Sequence, residues 1–216
     1  MNTKTAAGII CAALALGLWA GAAQAQGVNT SGQKALFLIG DQNPPEASQG
    51  MQGSASLADD ILGQWNRAGS LLLGMAKDMP DDKMDYRPTP QVRTFAEQIL
   101  HATAASAAFA GMAGGVMPKS FDEIEKPSRE KYKTREQIVE FIQKTFADGA
   151  AAIQKYGDKG LLEPVDSPFE KGKKVTRAWM FTFATAHVYD HYGQCATYYR
   201  LNGLVPPESR PQQQQQ

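Results

Sequence analysis

The chain has 216 residues, with 22 basic and 22 acidic side chains, so its formal net charge is zero. This balance argues against nucleic-acid binding, which needs an excess or a patch of positive charge. The two cysteines exclude a disulfide scaffold and most all-cysteine metal sites.

The first 25 residues have the pattern of a bacterial secretory signal peptide. Lys4 lies near the start, an apolar run extends from Ile9 to Ala20, and small residues lead to an Ala-x-Ala exit that ends at Ala25. The run is short for a membrane span, which needs about 20 residues. An uncleaved N-terminal anchor is the alternative. The sequence therefore predicts cleavage after Ala25, export to the bacterial periplasm and no stable membrane insertion.

Polar segments flank the rest of the chain. Residues 26–52 are rich in Gly, Gln, Ser, Asn and Pro and predict a flexible leader. Residues 205–216 combine prolines with a run of five glutamines, which cannot build a core, and predict a disordered tail. A single folded domain is expected over residues 53–204. Cleavage would also remove Cys11, so Cys195 would be the only cysteine of the mature chain.

Four segments between these ends show the three- and four-residue apolar spacing that is typical of amphipathic helices. The first extends from about Ser56 to Asp78 and ends before Pro80. The others extend from about Phe95 to Ala113, from about Arg135 to Tyr156 before Gly157, and from about Thr176 to Leu201 before Gly203.

The second and third predicted helices each have a capping box at their start. Thr94 with Glu97, and Thr134 with Gln137, have the spacing at which each side chain satisfies a backbone donor of the other residue. No stretch alternates between apolar and polar residues for long enough to predict a sheet. Four amphipathic helices of about twenty residues predict an all-α four-helix bundle, and the long connections leave room for crossovers.

All three histidines fall within predicted helices. His187 and His191 are four residues apart, which places them about 40° apart around one helix and one turn apart along it. His101 lies midway along the second helix. If these two helices are neighbours, three imidazoles can converge with one open coordination position, as in catalytic zinc sites, although imidazole also suits nickel, copper and iron. Hydrogen-bonded core histidines are the alternative.

The residues around the histidines resemble those of a known family. Residues 187–194 read His-Val-Tyr-Asp-His-Tyr-Gly-Gln, and residues 198–203 read Tyr-Tyr-Arg-Leu-Asn-Gly. They resemble the closing helix of the DinB-like superfamily, with its His-x-x-x-His-x-Gly-Gln signature and aromatic-Leu-Arg-x-x-Gly exit. The motifs Tyr-Arg-Pro-Thr-Pro at 86–90 and Val-Arg-Thr-Phe-Ala-Glu-Gln-Ile-Leu-His at 92–101 are similar to the family's lead-in and first histidine.

The resemblance covers about residues 55–207. It implies a four-helix bundle with non-sequential helix order and a divalent metal, such as zinc, nickel or iron, on His101, His187 and His191. Related bundles include transferases that use small thiols such as bacillithiol or mycothiol. Some members have a second histidine beside the last ligand and an arginine after it, where this chain has Asp190 and Tyr192. This difference leaves the three ligand positions intact, but the reaction of the related transferases does not carry over to this chain on these residues.

Three further residues lie near the expected ligands. Asp190 could orient an imidazole or act as a base, although an acidic residue on a helix is more often simply solvated. Gln194 could hydrogen-bond a ligand or substrate, or it could tie its helix to a neighbour. Cys195 could approach the metal or react with a thiol, whereas a free cysteine is usually a small buried hydrophobe.

Two functions therefore stay open at the level of sequence. The first is a divalent-metal-dependent transferase or hydrolase that acts on an unidentified small molecule. The second is a non-catalytic exported bundle that binds or senses a metal. A homodimer is compatible with both functions, and the neutral charge balance favours neither DNA nor RNA as a partner.

Overall fold

The computed structural model describes residues 55–125 and 129–211. Four long helices dominate this part of the chain: α1 (Leu57–Asp78), α2 (Phe95–Ala113), α4 (Arg135–Leu161) and α5 (Arg177–Leu201). Shorter elements are helix α3 (Asp122–Glu125), strands β1 (Pro164–Asp166) and β2 (Lys174–Thr176), and 3-10 turns at Asp81–Lys83 and Pro207–Ser209. The predicted signal peptide and leader lie outside the described residues. No helix within the described ranges has the length and apolar character needed to cross a membrane.

Each long helix begins where a hydroxyl side chain accepts the backbone N–H three residues later. The four capping residues are Ser56, Thr94, Thr134 and Thr176. Both predicted capping boxes form, with Glu97 and Gln137 as the reciprocal partners. These caps satisfy backbone donors that a helix start leaves without an intrahelical partner. The four-helix prediction is thereby confirmed.

The third long helix differs from its prediction at its C-terminal end. Gly157 interrupts α4 with a φ of 55° and a ψ of −174°, a backbone conformation that favours glycine, and a short helical segment then continues to Leu161. The break therefore occurs where it was expected, but the chain resumes a helical path for one further turn.

One short hairpin between α4 and α5 adds two strands that the sequence did not predict. Strands β1 and β2 pair antiparallel, with Val165 opposite Val175. Each strand has only three residues, which is too short for an alternating pattern to stand out in the sequence. The hairpin sets the path of the chain into the first turn of α5.

The four helices pack around one core, in which Trp65 contacts side chains of two other helices. Helix α1 packs mainly against α4 and α5, and α2 packs mainly against α5 and α4. The fully buried Trp65 on α1 lies 4.8 Å from Phe146 on α4 and 5.4 Å from Phe181 on α5, measured between ring centroids. Its indole N–H donates a 2.8 Å hydrogen bond to the carbonyl of Phe146. Helices α2 and α5 are thus neighbours, which is the condition for the histidines to meet.

The C-terminal segment differs from the disordered tail that the sequence predicts for residues 205–216. Residues 205–211 lie against the bundle, and 212–216 lie outside the described residues. Glu208 forms a 2.6 Å ion pair with Arg67 on α1, and its backbone N–H donates to the hydroxyl of Tyr192 on α5. Tyr192, where the sequence departs from the family pattern, therefore contacts this C-terminal segment.

Candidate metal centre

The three histidines meet at the interface between α2 and α5. The ring centroid of His101 lies 5.1 Å from that of His187 and 4.7 Å from that of His191, and the two α5 rings are 4.5 Å apart. One nitrogen from each ring can be chosen so that all three lie within 4.8 Å of one another. His101 and His191 are buried and His187 is half-buried. The three residues could hold a metal ion.

Hydrogen bonds at two of the rings determine which nitrogen faces the centre. His101 Nδ1 lies 2.7 Å from the carbonyl oxygen of Ile124 on α3, which can only accept, so the Nδ1–H donates and Nε2 keeps its lone pair. His101 Nε2 lies 3.2 Å from His187 Nε2. Two nitrogens that bind one tetrahedral zinc at about 2.0–2.1 Å are roughly 3.3 Å apart. The same separation also allows an N–H···N bond between the two rings.

Gln98 orients the third ring. His191 Nδ1 lies 2.7 Å from Gln98 Oε1, and an amide oxygen accepts only, so this ring also carries its proton on Nδ1. The Gln98 amide nitrogen in turn donates to Gln194 Oε1 at 2.8 Å and lies 3.5 Å from the Tyr198 hydroxyl. Tyr198 donates to the carbonyl of Arg93 at 2.8 Å. Such partners fix the orientation of a metal-binding imidazole and raise its basicity.

The two predicted supporting residues lie at the outer end of this network. Gln194 donates to Asp190 Oδ2 at 3.2 Å, so amide and carboxylate groups lead outward from His191 through Gln98 and Gln194 to Asp190. The partner of His191 Nδ1 is Gln98 rather than the adjacent carboxylate. Sequence reasoning missed Gln98, although it lies three residues before His101 and therefore on the same helix face.

Replacing Gln98 with alanine is expected to weaken metal binding by about 10- to 100-fold, the usual loss when the partner of a ligating histidine is removed. The fold should persist because the substitution removes a polar side chain from the contact between α2 and α5 and leaves the apolar core unchanged. Competition against a fluorescent chelator measures the affinity. Thr103→Ala is the matched control. Thr103 is a buried polar residue of the same helix, and its hydroxyl donates a hydrogen bond to the carbonyl of Ile99. Equal affinity in Gln98→Ala and wild type would show that the network does not support the ligand.

Burial sets the protonation state of His191. Desolvation is the main cause that lowers the pKa of His191 from 6.5 to about 3, and the nearby His187 and His101 lower it further. Asp190 acts in the opposite direction and raises it. The ring is therefore neutral at ordinary pH, which is the form that binds a metal.

The apoprotein is expected to lose stability as the pH falls from 7 to 5. Below about pH 6.5 His191 becomes protonated in the unfolded chain, whereas in the folded chain it stays neutral until about pH 3. The unfolded state therefore binds more protons, and the free energy of unfolding decreases as the pH falls across this window. The slope for one histidine is at most about 1.4 kcal/mol per pH unit. Urea denaturation with a chelator present would measure it, and His191→Asn should flatten the dependence. Identical slopes in the two proteins would contradict the shift.

Cys195 is not placed as a reactive thiol. The side chain is fully buried, and desolvation raises the pKa of the thiol far above its usual range. Cys195 is thus the small buried hydrophobe of the two alternatives. Within residues 55–125 and 129–211, the histidine triad is the one cluster of at least three His, Cys, Asp or Glu residues whose ligand atoms lie within 4.8 Å of one another.

The family follows from a comparison with known proteins. Residues 64–195 match the DinB superfamily, which is more than half of the chain. The chain belongs to the DinB superfamily. The match extends over most of α1, all of α2 and α4, and most of α5, and so includes all three histidines. The resemblance read from the sequence is confirmed.

Solved structures agree on the fold. The protein is similar to a DinB-like protein from Bacillus cereus, with a TM-score of 0.56 and 18% identity over 69% of this chain and 95% of that one. It is also similar to a DinB-like protein from Bacillus subtilis, with a TM-score of 0.53 and 17% identity over 68% and 93% of the two chains. No curated protein matches the sequence. At these identities the likeness concerns the fold alone.

Proposed function

We propose that the protein is an exported metal-binding protein that holds one divalent ion on His101, His187 and His191. The convergence of three imidazoles, with ligand nitrogens within 4.8 Å of one another, carries this proposal. The donor chemistry supports it, because two rings have their Nδ1 protons engaged by Ile124 and Gln98, and Nε2 is left to bind. Three imidazoles suit zinc, nickel or iron.

We further propose that the centre serves a metal-dependent transferase or hydrolase that acts on a small molecule. A divalent ion on three protein ligands keeps an open position, where it can polarise a carbonyl group or lower the pKa of a bound water or thiol. The chain contributes the rest of the site. Gln98 holds His191 in one orientation, Ile124 does the same for His101, and burial keeps these two rings in a poorly hydrated environment.

A comparison of metal-loaded and chelated protein tests for catalysis. Both forms would be incubated with small thiols plus electrophiles, and separately with esters and amides, in each case with His187→Ala as the inactive control. Turnover that depends on the metal and disappears in His187→Ala is the expected result. Stoichiometric metal binding without turnover across the panel would instead favour the non-catalytic metal-binding or sensing protein.

Export is expected to remove the first 25 residues. The charged start, the short apolar run and the Ala-x-Ala exit support cleavage after Ala25. Mass spectrometry of the periplasmic fraction of an expressing bacterium should find a mature protein that begins at Gln26. Ala25→Pro should block processing and leave the precursor in the membrane fraction. A full-length protein in the cytoplasm would contradict export.

A further inference from the structure

Aromatic side chains continue from the histidine triad along the surface of α5. Trp179, Phe183 and His187 follow one another at four-residue spacing and therefore lie on one helix face. The rings of Trp179 and Phe183 are 5.0 Å apart and 20° from parallel. Those of Phe183 and His187 are 6.4 Å apart and 10° from parallel. A row of nearly parallel rings thus ends at one of the expected ligands.

A fourth ring comes from the connection between the two strands. Phe169 meets Trp179 edge-on at 6.0 Å and Phe183 at 5.3 Å. We call Phe169, Trp179 and Phe183 the aromatic strip. The ring centroid of the buried Phe109 of α2 lies 4.8 Å from that of Phe183, so Phe109 packs against the strip from the core. Three separate parts of the fold therefore place these rings together.

The strip leaves apolar surface exposed beside the candidate metal centre. Phe169 is 59% exposed although it contacts two other rings, and Trp179 and Phe183 are only half-buried. Exposed apolar side chains that form one contiguous patch, rather than being scattered singly, are a feature of ligand-binding sites. His187 is the half-exposed member of the triad, and its ring is parallel to Phe183. The exposed side of the triad and the strip are therefore adjacent.

We propose that the aromatic strip binds the planar aromatic part of a small molecule whose polar head binds the metal of the triad. This inference rests on the proposed function and adds the chemical class of its substrate. Aromatic rings prefer edge-to-face or offset contacts at centroid distances of about 4.5–7 Å. Phe169 is the most exposed ring of the strip, so a ligand ring can pack against it within this range of distances while its polar head reaches the triad.

Two hydroxamic acids, which bind divalent ions through the same head group, test the strip. Zinc-loaded protein would be titrated calorimetrically with butanehydroxamic acid and with 4-phenylbutanehydroxamic acid. We expect the phenyl compound to bind about tenfold more tightly in the wild type, the gain that aromatic contacts and apolar burial supply together. Phe169→Ala and Phe183→Ala should remove this gain and leave the affinity for butanehydroxamic acid unchanged.

The controls separate the strip from the metal centre. Leu162→Ala removes an exposed apolar side chain at the end of α4 and should keep the tenfold difference. Phe169 is on a loop and largely exposed, so its variant should fold as the wild type does. Equal binding of the two compounds, or of the phenyl compound and its cyclohexyl analogue, would overturn the strip proposal. Failure of zinc to bind would instead overturn the metal site. Zinc-loaded protein that binds neither compound would overturn the proposal that a polar head binds the metal.

Discussion

His187→Ala is expected to raise the dissociation constant for a divalent ion by more than 100-fold, above the roughly 10- to 100-fold loss typical of a supporting residue. The reason is that His187 Nε2 lies 3.2 Å from His101 Nε2, so removal of the ring leaves two ligands where three converge. Untagged protein purified without chelator should contain about one ion per chain, and the variant should contain almost none. Mass spectrometry of the metal content measures both.

Thr182→Ala, at an exposed residue five positions before His187 in α5, tests whether any change in this helix has the same effect. It should retain the full metal content. A second measurement uses thermal unfolding, because an ion that binds only the folded chain raises the melting temperature. A chelator should reverse this rise in the wild type and in Thr182→Ala and should change nothing in His187→Ala. Full metal occupancy in the triple variant His101→Ala, His187→Ala and His191→Ala would refute the site.

Gly149→Ala is expected to destabilise the protein by about 1–3 kcal/mol or more, the cost of inserting atoms into a packed core. A Cβ at this position of α4 would lie 2.2 Å from Cζ2 of Trp65. Trp65 cannot easily move aside, because it is fully buried and its indole N–H is bonded to the Phe146 carbonyl. The close approach of α1 and α4 therefore depends on the absence of a side chain at Gly149.

Gly63→Ala is the matched control because it makes the same substitution in α1. A Cβ at Gly63 would meet nothing within 4 Å, so alanine should stabilise the helix by about 0.5–1 kcal/mol through its higher helix propensity. Urea denaturation should thus give opposite signs for the two variants. Similar free energies of unfolding for Gly149→Ala and the wild type would mean that the two helices can separate at little cost.

Helix boundaries depend on residues that are close together in the sequence, and most helix ends were predictable for this reason. A hydroxyl cap such as Thr94, a reciprocal partner such as Glu97, and a terminator such as Gly157 act within a few residues of one another. The hairpin at Val165 and Val175 was not predictable in the same way. Its pairing joins Val165 to Val175, ten positions apart, and each strand has only three residues, which is too short for an alternating pattern to stand out.

The C-terminal segment illustrates the same distinction. A composition rich in Pro and Gln predicts disorder because it cannot build a core by itself. Residues 205–211 instead use the existing surface of the bundle, where Glu208 pairs with Arg67 and Arg210 pairs with Asp78. Composition does not reveal such contacts, because the partners belong to a helix more than 130 residues away in the sequence.

The sequence by itself determined the four helices and the family, because helix caps and short motifs are local patterns. It also determined that His187 and His191 lie side by side, because residues four apart share one helix face. The family resemblance implied His101 as the third ligand, but only the tertiary structure decided that its ring meets the other two. Only the tertiary structure decided that Gln98 rather than Asp190 orients His191, and that Phe169 packs against Phe183. These are contacts between α2, α5 and the hairpin. They arise from the packing of distant segments into one core, which no local pattern records.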